Sequence, residues 1–401
     1  MDPVAEQYEA YPYPERDPAD EAKRLVTGSP SHPCEIDHFI HRGARDWRRP
    51  FRALVAGGGT GDALVMMAQL LTTARAPFEI VYLDRSAASR AIAERRIAAR
   101  GLSGVSFVTG DLLDAPAMGP FDYVDCCGVL HHLPDPQAGF DALARALAPG
   151  GGLGAMVYAP YGRTGVYPLQ AALATLTDGL SPAEKTARAR ATLDALPPTN
   201  WLKRNELIGD HARGDAGLYD LLLHARDTPF TADAVMASVE RAGLTFSGFL
   251  APARYAPETW LGGAPAPALG PGARAALAEQ LAGGIRAHVF YAVKPAEGGA
   301  SGEGAGLAAF RPEARPRLRG LTAAQLAGAA GRTLKVTLDG VAHRVALPKD
   351  PALLGALDGR RRLGEIARAL GRDWVAFAAG FAPLERSLVG LGALLYSETF
   401  P

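Results

Sequence analysis

Gly57-Gly58-Gly59-Thr60-Gly61 follows a short apolar stretch at 52–56, and Asp84 closes the next such stretch at 79–84. A glycine-rich turn from strand to helix, with an acid at the end of the second strand, is how a doubly wound α/β sheet holds an adenosine-containing cofactor. Outward from this turn the pattern alternates strand and helix. Strands are expected at 52–56, 79–84, 105–109, 123–127 and 153–158. Ser86 is a good N-cap for the helix that Gly101 ends, and Leu147-Ala148-Pro149-Gly150-Gly151-Gly152 reads as a helix terminator before the fifth strand. Helical crossovers between five strands imply a parallel sheet covered on both faces.

Residues 163–243 read as helical. Ser181-Pro182-Ala183-Glu184 is a capping box with proline at N1, its helix stopping at Pro197-Pro198, and another helix starts after Thr231 and ends near Gly243. Apolar segments at 244–250 and 285–293, around a helix at 274–281, read as the last two strands of the same sheet. The expected fold is therefore a doubly wound, seven-stranded Rossmann-like sheet (51–295) with a helical insertion (about 163–243) over the cofactor edge, where substrate pockets lie. Before it stands an arm or lid (1–50) rich in aromatics and proline. A glycine-rich linker (296–312) leads to a small α+β unit (313–401), in which Asp339-Gly340 marks a hairpin and a terminal helix runs from Trp374 to about Leu394.

Lys and Arg balance Asp and Glu at 42 each, so no whole-molecule field attracts nucleic acid or anionic lipid. The region 311–401 carries 14 basic against 8 acidic residues, and a compensating excess of acid lies elsewhere. No apolar run is long enough to span a bilayer, and the first residues lack signal-peptide character. Three cysteines, two of them adjacent (Cys126, Cys127), make no disulfide framework. A cytoplasmic protein with neither membrane nor nucleic-acid partner is expected.

A dinucleotide fingerprint beginning at Gly57 would need its third glycine at position 62, where Asp62 would repel a pyrophosphate. The turn suits a cofactor without phosphate. Two further motifs follow in order: Phe107-Val108-Thr109-Gly110-Asp111-Leu112, with a carboxylate at a third strand end, and Phe121–Pro136, which supplies the fourth strand and the segment leaving it. With these the chain resembles the class I S-adenosylmethionine-dependent methyltransferases. The resemblance implies that Gly57, Gly58, Gly59 and Gly61 meet the methionine part of S-adenosyl-L-methionine. Asp84 takes the ribose and Asp111 the adenine amino group, with Arg85 and Leu112 beside the ring. Cys127 and Gly128 line the path to the sulfonium. The family often has an acid two positions before the first glycine; here stands Val55, which leaves the methionine ammonium to Asp62 or to backbone carbonyls.

His131 and His132, just past the fourth strand, are candidates for a general base or substrate contact, the commoner alternative being packing and helix-start residues. Tyr11 and Tyr13 of Tyr11-Pro12-Tyr13-Pro14, and Tyr158, Tyr161 and Arg163 beyond the fifth strand, are candidates for the acceptor pocket. Leu223–Thr231 is a polar knot that reads as turn and cap chemistry or as a pocket wall. The basic run from Arg42 to Arg52 reads as a solvated face. The N-terminal arm and the C-terminal unit together resemble a bacterial methyltransferase subgroup, some of whose members modify protein lysines. Through Asp358–Ala367 the C-terminal unit is similar to small winged-helix-like modules. The resemblance implies a methyltransferase whose acceptor is a small molecule, a protein or peptide side chain being the alternative, and a cofactor-binding regulator without transfer a further one. No cluster with metal-ligand spacing is evident.

Overall fold

In a computed structural model of the chain, residues 3–296 and 306–399 are described. The N-terminal arm holds α1 (Pro3–Ala10) and α2 (Pro33–Ile40). The central body follows as β1 (Phe51–Ala56), α3 (Asp62–Thr73), β2 (Phe78–Asp84), α4 (Ala87–Ala99), β3 (Val105–Thr109), β4 (Phe121–Cys127), α5 (Pro136–Ala146) and β5 (Leu147–Tyr158). An excursion of α6 (Val166–Leu176), α7 (Pro182–Ala195) and α8 (Gly214–Leu222) leads to α9 (Ala232–Arg241). Then β6 (Thr245–Phe249), α10 (Pro271–Ala282) and β7 (Ala287–Val293) complete the body. The C-terminal unit comprises β8 (Pro316–Leu318), α11 (Ala323–Gly328), β9 (Thr333–Leu338), β10 (Val341–Ala346), α12 (Pro351–Gly355), α13 (Leu363–Ala369), α14 (Trp374–Gly390) and β11 (Leu394–Tyr396).

The seven body strands lie in the order β3-β2-β1-β4-β5-β7-β6, and β7 alone runs antiparallel. Chain order reverses between β1 and β4, so the carboxyl ends of these two strands open a crevice. Alternation of side chains divides the sheet between two apolar layers. Leu54, Val124, Leu153 and Phe290 pack on one face with Phe140 of α5 and Val235 of α9. Ala53, Val55, Tyr82 and Tyr123 pack on the other with Ile36 of α2, Leu64 of α3 and Ala93 of α4. The expected elements are present with small shifts in their ends. The Ser86 side chain accepts from the Ser89 N–H at 3.0 Å, and Ser181 with Glu184 forms the capping box.

Two local readings are corrected. Leu147–Gly152 is not a helix terminator, because α5 ends at Ala146 and strand pairing begins at once, Leu147 opposite Phe121, with an irregularity before Tyr123 and Gly152 align. The terminal helix stops at Gly390 rather than near Leu394. Gly392, at φ 64°, reverses the chain, and Leu394–Tyr396 pairs antiparallel with Pro316–Leu318.

Residues 297–305 of the expected linker lie outside the described residues. Past them the chain is pinned: Gly306 N–H donates to the Ile40 carbonyl at 2.6 Å, and Ala308 N–H to that of His38 at 2.7 Å. Buried carboxylates of α2 tie the C-terminal unit to the body. Asp37 accepts from Ser397 Oγ at 2.8 Å and from Glu398 N–H at 2.7 Å. Glu35 accepts from Tyr291 of β7 at 2.5 Å and pairs with Arg319 at 3.0 Å. Of the basic run, Arg45 is not on a solvated face: its side chain is largely buried, with the guanidinium carbon 4.8 Å from the Phe51 ring centre, while the part-exposed Arg52 lies with its guanidinium carbon 4.4 Å from that of Phe121.

Candidate active site

A cavity of about 410 Å³ occupies the crevice at the strand ends. Its floor is the glycine turn. Gly57 (φ 71°), Gly59 (φ 50°) and Gly61 (φ 97°) take backbone angles that favour glycine, and a Cβ on Gly58 would collide with the ring of Tyr82. Tyr82 Oη in turn donates to the Gly59 carbonyl at 2.7 Å. The turn is thereby shaped for close approach to its backbone.

Asp84 ends β2 beside this turn. Its two oxygens accept from Gly59 N–H at 2.7 Å and Ser86 N–H at 2.8 Å, and burial raises its pKa against the pull of those bonds. Asp111, at the end of β3, caps the short turn Leu112–Ala117 through Leu113 N–H at 2.9 Å and faces Arg85 at 3.8 Å. Asp84, Arg85, Asp111, Leu112, Cys127 and Gly128 all line the cavity, with Gly57, Gly58 and Gly59. Gly61 does not. It starts α3 and faces Ala93.

The arm closes over the turn. Thr60 Oγ1 donates to the Pro14 carbonyl at 2.7 Å, and Arg16 pairs with Asp62 at 2.6 Å. Tyr8, Tyr13 and Pro14 line the cavity, whereas Tyr11 stacks on Tyr219 of α8, ring centres 5.1 Å apart, away from it. Asp62 also pairs with the buried Arg96 at 2.7 Å. Burial pushes its pKa up and these two guanidiniums bring it below the ordinary value, so Asp62, which also lines the cavity, already has cationic partners.

At the β4–β5 end the walls are His132, Tyr158 and Asp220. Arg226 holds both neighbouring imidazoles by its backbone. Its carbonyl accepts from His132 Nδ1 at 2.7 Å, and its N–H donates to His224 Nδ1 at 3.1 Å. The carbonyl fixes the His132 proton on Nδ1 and leaves the lone pair on Nε2. The N–H fixes the opposite tautomer on His224, whose Nε2 proton faces Tyr8 Oη at 3.3 Å. Tyr8 Oη then donates to Asp220 Oδ1 at 3.1 Å, and Tyr158 Oη donates to Asp220 Oδ2 at 3.4 Å. Burial lowers the pKa of His132 and raises that of Asp220.

His132, Asp220 and His224 are near enough together to ligate a cation. Ligation through His224 Nε2 would require the opposite tautomer and loss of the Arg226 bond, so the donor set fits a hydrogen-bond relay better than a metal centre. The polar knot is the clamp of this end. Thr228 N–H donates to the His131 carbonyl at 2.9 Å, and Phe230 N–H to that of Tyr158 at 2.8 Å.

His131, Tyr161 and Arg163 do not line the cavity. His131 is buried against His132 and Tyr158, ring centres 4.1 and 4.2 Å away. Arg163 lies with its guanidinium carbon 3.6 Å from the Tyr158 ring centre and pairs with Asp227 at 3.3 Å, behind the wall. Among the titratable residues that line the cavity, reading the sequence assigned no role to Tyr8, Asp125 and Asp220.

A methyltransferase-domain family model matches residues 54–153. The chain is 32% identical over 271 residues to the uncharacterized protein syc1184_c of Synechococcus sp., a match covering 65% of this chain and 62% of that relative's length. Two solved structures of PKMT2 from Rickettsia typhi share the fold. The first covers 88% of this chain and 72% of its own, with a TM-score of 0.57 and 15% identity. The second, in complex with AdoHcy, has a TM-score of 0.56 at 13% identity over the same shares. The seven-stranded sheet and its glycine turn share the Rossmann-like fold of these structures, and the segment 54–153 that carries the turn matches the methyltransferase-domain family.

Proposed function

We propose that this chain methylates an amine nitrogen, with S-adenosylmethionine bound across the glycine turn and the acceptor entering between Tyr8, Tyr13, His132, Tyr158 and Asp220. The cofactor's fit is supported by the glycine turn, whose Gly57 and Gly59 take left-handed backbone angles while Gly58 packs directly on Tyr82, and by two carboxylates, Asp84 and Asp111, at successive strand ends. Asp84 would hold the ribose and Asp111 the adenine amino group. The bound cofactor supplies an activated methyl group on a sulfonium, which leaves as a neutral thioether.

The observation that carries the acceptor class is Asp220. It is a buried carboxylate at the β4–β5 end, partnered by two tyrosine hydroxyls and, among the described residues, by no cation within salt-bridge reach. Such a group attracts an ammonium, and the tyrosine rings beside it favour the same charge. Asp220 would orient the amine. His132 Nε2 would accept one proton from it, so that the nitrogen attacks with a free lone pair and the product is an N-methylammonium. The clamp through Phe230 and Thr228 holds the segment of the polar knot against His131 and Tyr158 at this end.

The test is transfer of label from methyl-tritiated S-adenosylmethionine into a host-cell extract separated into macromolecular and small-molecule fractions, with Asp84→Ala alongside. Label expected on nitrogen survives both acid and alkaline hydrolysis, and its fraction tells a protein side chain from a small amine. Label lost to mild alkali, as from an ester, contradicts the amine reading. Cofactor binding without any enzyme-dependent label favours the non-catalytic regulator.

A further inference from the structure

A carboxylate in the middle of a buried strand is costly unless something answers its charge. Asp125 is such a group. It lies on β4 at 2% exposure, between Tyr123 and Cys127, and lines the cavity. Oδ1 accepts from Ser31 Oγ, which also meets Tyr123 Oη at 3.1 Å. Among the described residues no hydrogen-bond partner is found for Oδ2 and no Lys or Arg within salt-bridge reach.

Each of the other carboxylates of the cavity has a partner on both oxygens, and Asp220 lies at the opposite end from the glycine turn. Asp62 has Arg16 and Arg96, Asp84 has two backbone N–H donors, Asp111 has Arg85 and its own turn, and Asp220 has two hydroxyls. Asp125 also has a telling place in the sheet. Its register partner on β1 is Val55, two residues before the first glycine of the turn.

Resting on the reading of the cavity as an S-adenosylmethionine site, we propose that Asp125 binds the α-ammonium of the cofactor, supplying from β4 the negative charge that β1 lacks at Val55. Ser31, on the segment leading into α2, holds one carboxylate oxygen and leaves the other for the ligand. The assignment makes the N-terminal arm part of cofactor recognition. The titratable groups that interact with Asp125 are Tyr123, Cys126 and Cys127, all on its own strand, with Glu35 of α2 next to Tyr123 and Asp62 of α3 next to Cys127 beyond them. None of them is a cation. Burial pushes the Asp125 carboxyl up to about 7, with the Ser31 bond acting the other way, so a protonated Asp125 has to ionise to receive an ammonium.

The test is calorimetric titration of the full chain with S-adenosylhomocysteine and with 5′-methylthioadenosine, which shares the nucleoside thioether but has no amino-acid part. Asp125→Asn should weaken the first by at least about tenfold and leave the second unchanged, collapsing the preference between them. In the unsubstituted protein, affinity for S-adenosylhomocysteine should fall as the pH drops below about 7, with proton release on binding, and that for 5′-methylthioadenosine should stay flat. Equal losses for both ligands in Asp125→Asn, or no loss for either, would overturn the assignment. So would a pH profile shared by both ligands, a result that needs no variant. If the unsubstituted protein bound neither nucleoside, the cofactor reading itself would fall, and the Asp125 assignment with it.

Discussion

The two ends of the cavity are built in different ways. The cofactor end comes mainly from the ends of four consecutive strands between Gly57 and Gly128, where Asp84 and Asp111 bind to their own turns, with the arm laid over it. The acceptor end joins Tyr8 of the arm, His132 after β4, Tyr158 of β5 and Asp220 of α8, across a span of more than 200 residues. Short-range geometry fixes the first end. Tertiary packing of an arm and an insertion fixes the second, and these are the parts of such a fold that can change while the sheet stays the same.

Substitutions should therefore separate cleanly between the ends. The largest effect is expected from His132→Ala. Loss of a positioned base should lower kcat by about 10²–10⁴-fold, with affinity for S-adenosylhomocysteine nearly unchanged. An equal fall in cofactor affinity would show that His132 serves the fold instead. Asp84→Ala should cost about 2–3 kcal/mol of cofactor binding, roughly a hundredfold, because a ribose partner is lost along with the bonds that brace the glycine turn. Calorimetry measures it, and retained tight binding would move the nucleoside elsewhere.

Asp125→Asn should do the reverse for stability. A carboxyl whose folded pKa stands above its unfolded value makes the native state less stable as pH rises from about 4 to about 7, since the folded form then holds the extra proton. Removing that ionisation should raise the stability of the ligand-free protein at pH 8 by about 1–4 kcal/mol, read as a higher Tm. An unchanged or lower Tm would show that Asp125 is better compensated than its partners indicate. The smallest effect belongs to the contact between the arm and the insertion. Tyr11→Ala removes the stack on Tyr219 and should cost about 1 kcal/mol of stability while leaving both ligand affinities in place. A fall in either affinity would place Tyr11 in recognition after all.

The same contrast explains what could be read from the chain alone. The glycine turn, Asp84, Asp111 and the segment after β4 carry their meaning locally, since spacing along the chain decides which strand end each residue reaches. The five parallel strands followed for the same reason. Leu147–Gly152 misled because a run of proline and glycine usually breaks structure, yet here it sits at a strand irregularity paired with β4. Asp220 and Asp125 went unnoticed, although each left a signal: an acid inside an otherwise apolar run, Leu218-Tyr219-Asp220-Leu221-Leu222 and Tyr123-Val124-Asp125-Cys126-Cys127. Such an acid is buried with a partner or toward a ligand. Which of the two holds depends on the neighbours that packing brings, and for Asp220 these include Tyr8, 212 residues away.

The decisive measurement is a paired one: calorimetric binding of S-adenosylhomocysteine and methyl transfer from labelled S-adenosylmethionine, for the unsubstituted protein, Asp84→Ala and Asp220→Asn. Asp84→Ala should lose both. Asp220→Asn should keep S-adenosylhomocysteine affinity within about twofold and lose transfer to amines. Loss of cofactor affinity in Asp220→Asn, or undiminished amine methylation by it, would contradict the division of the cavity into a cofactor end and an acceptor end.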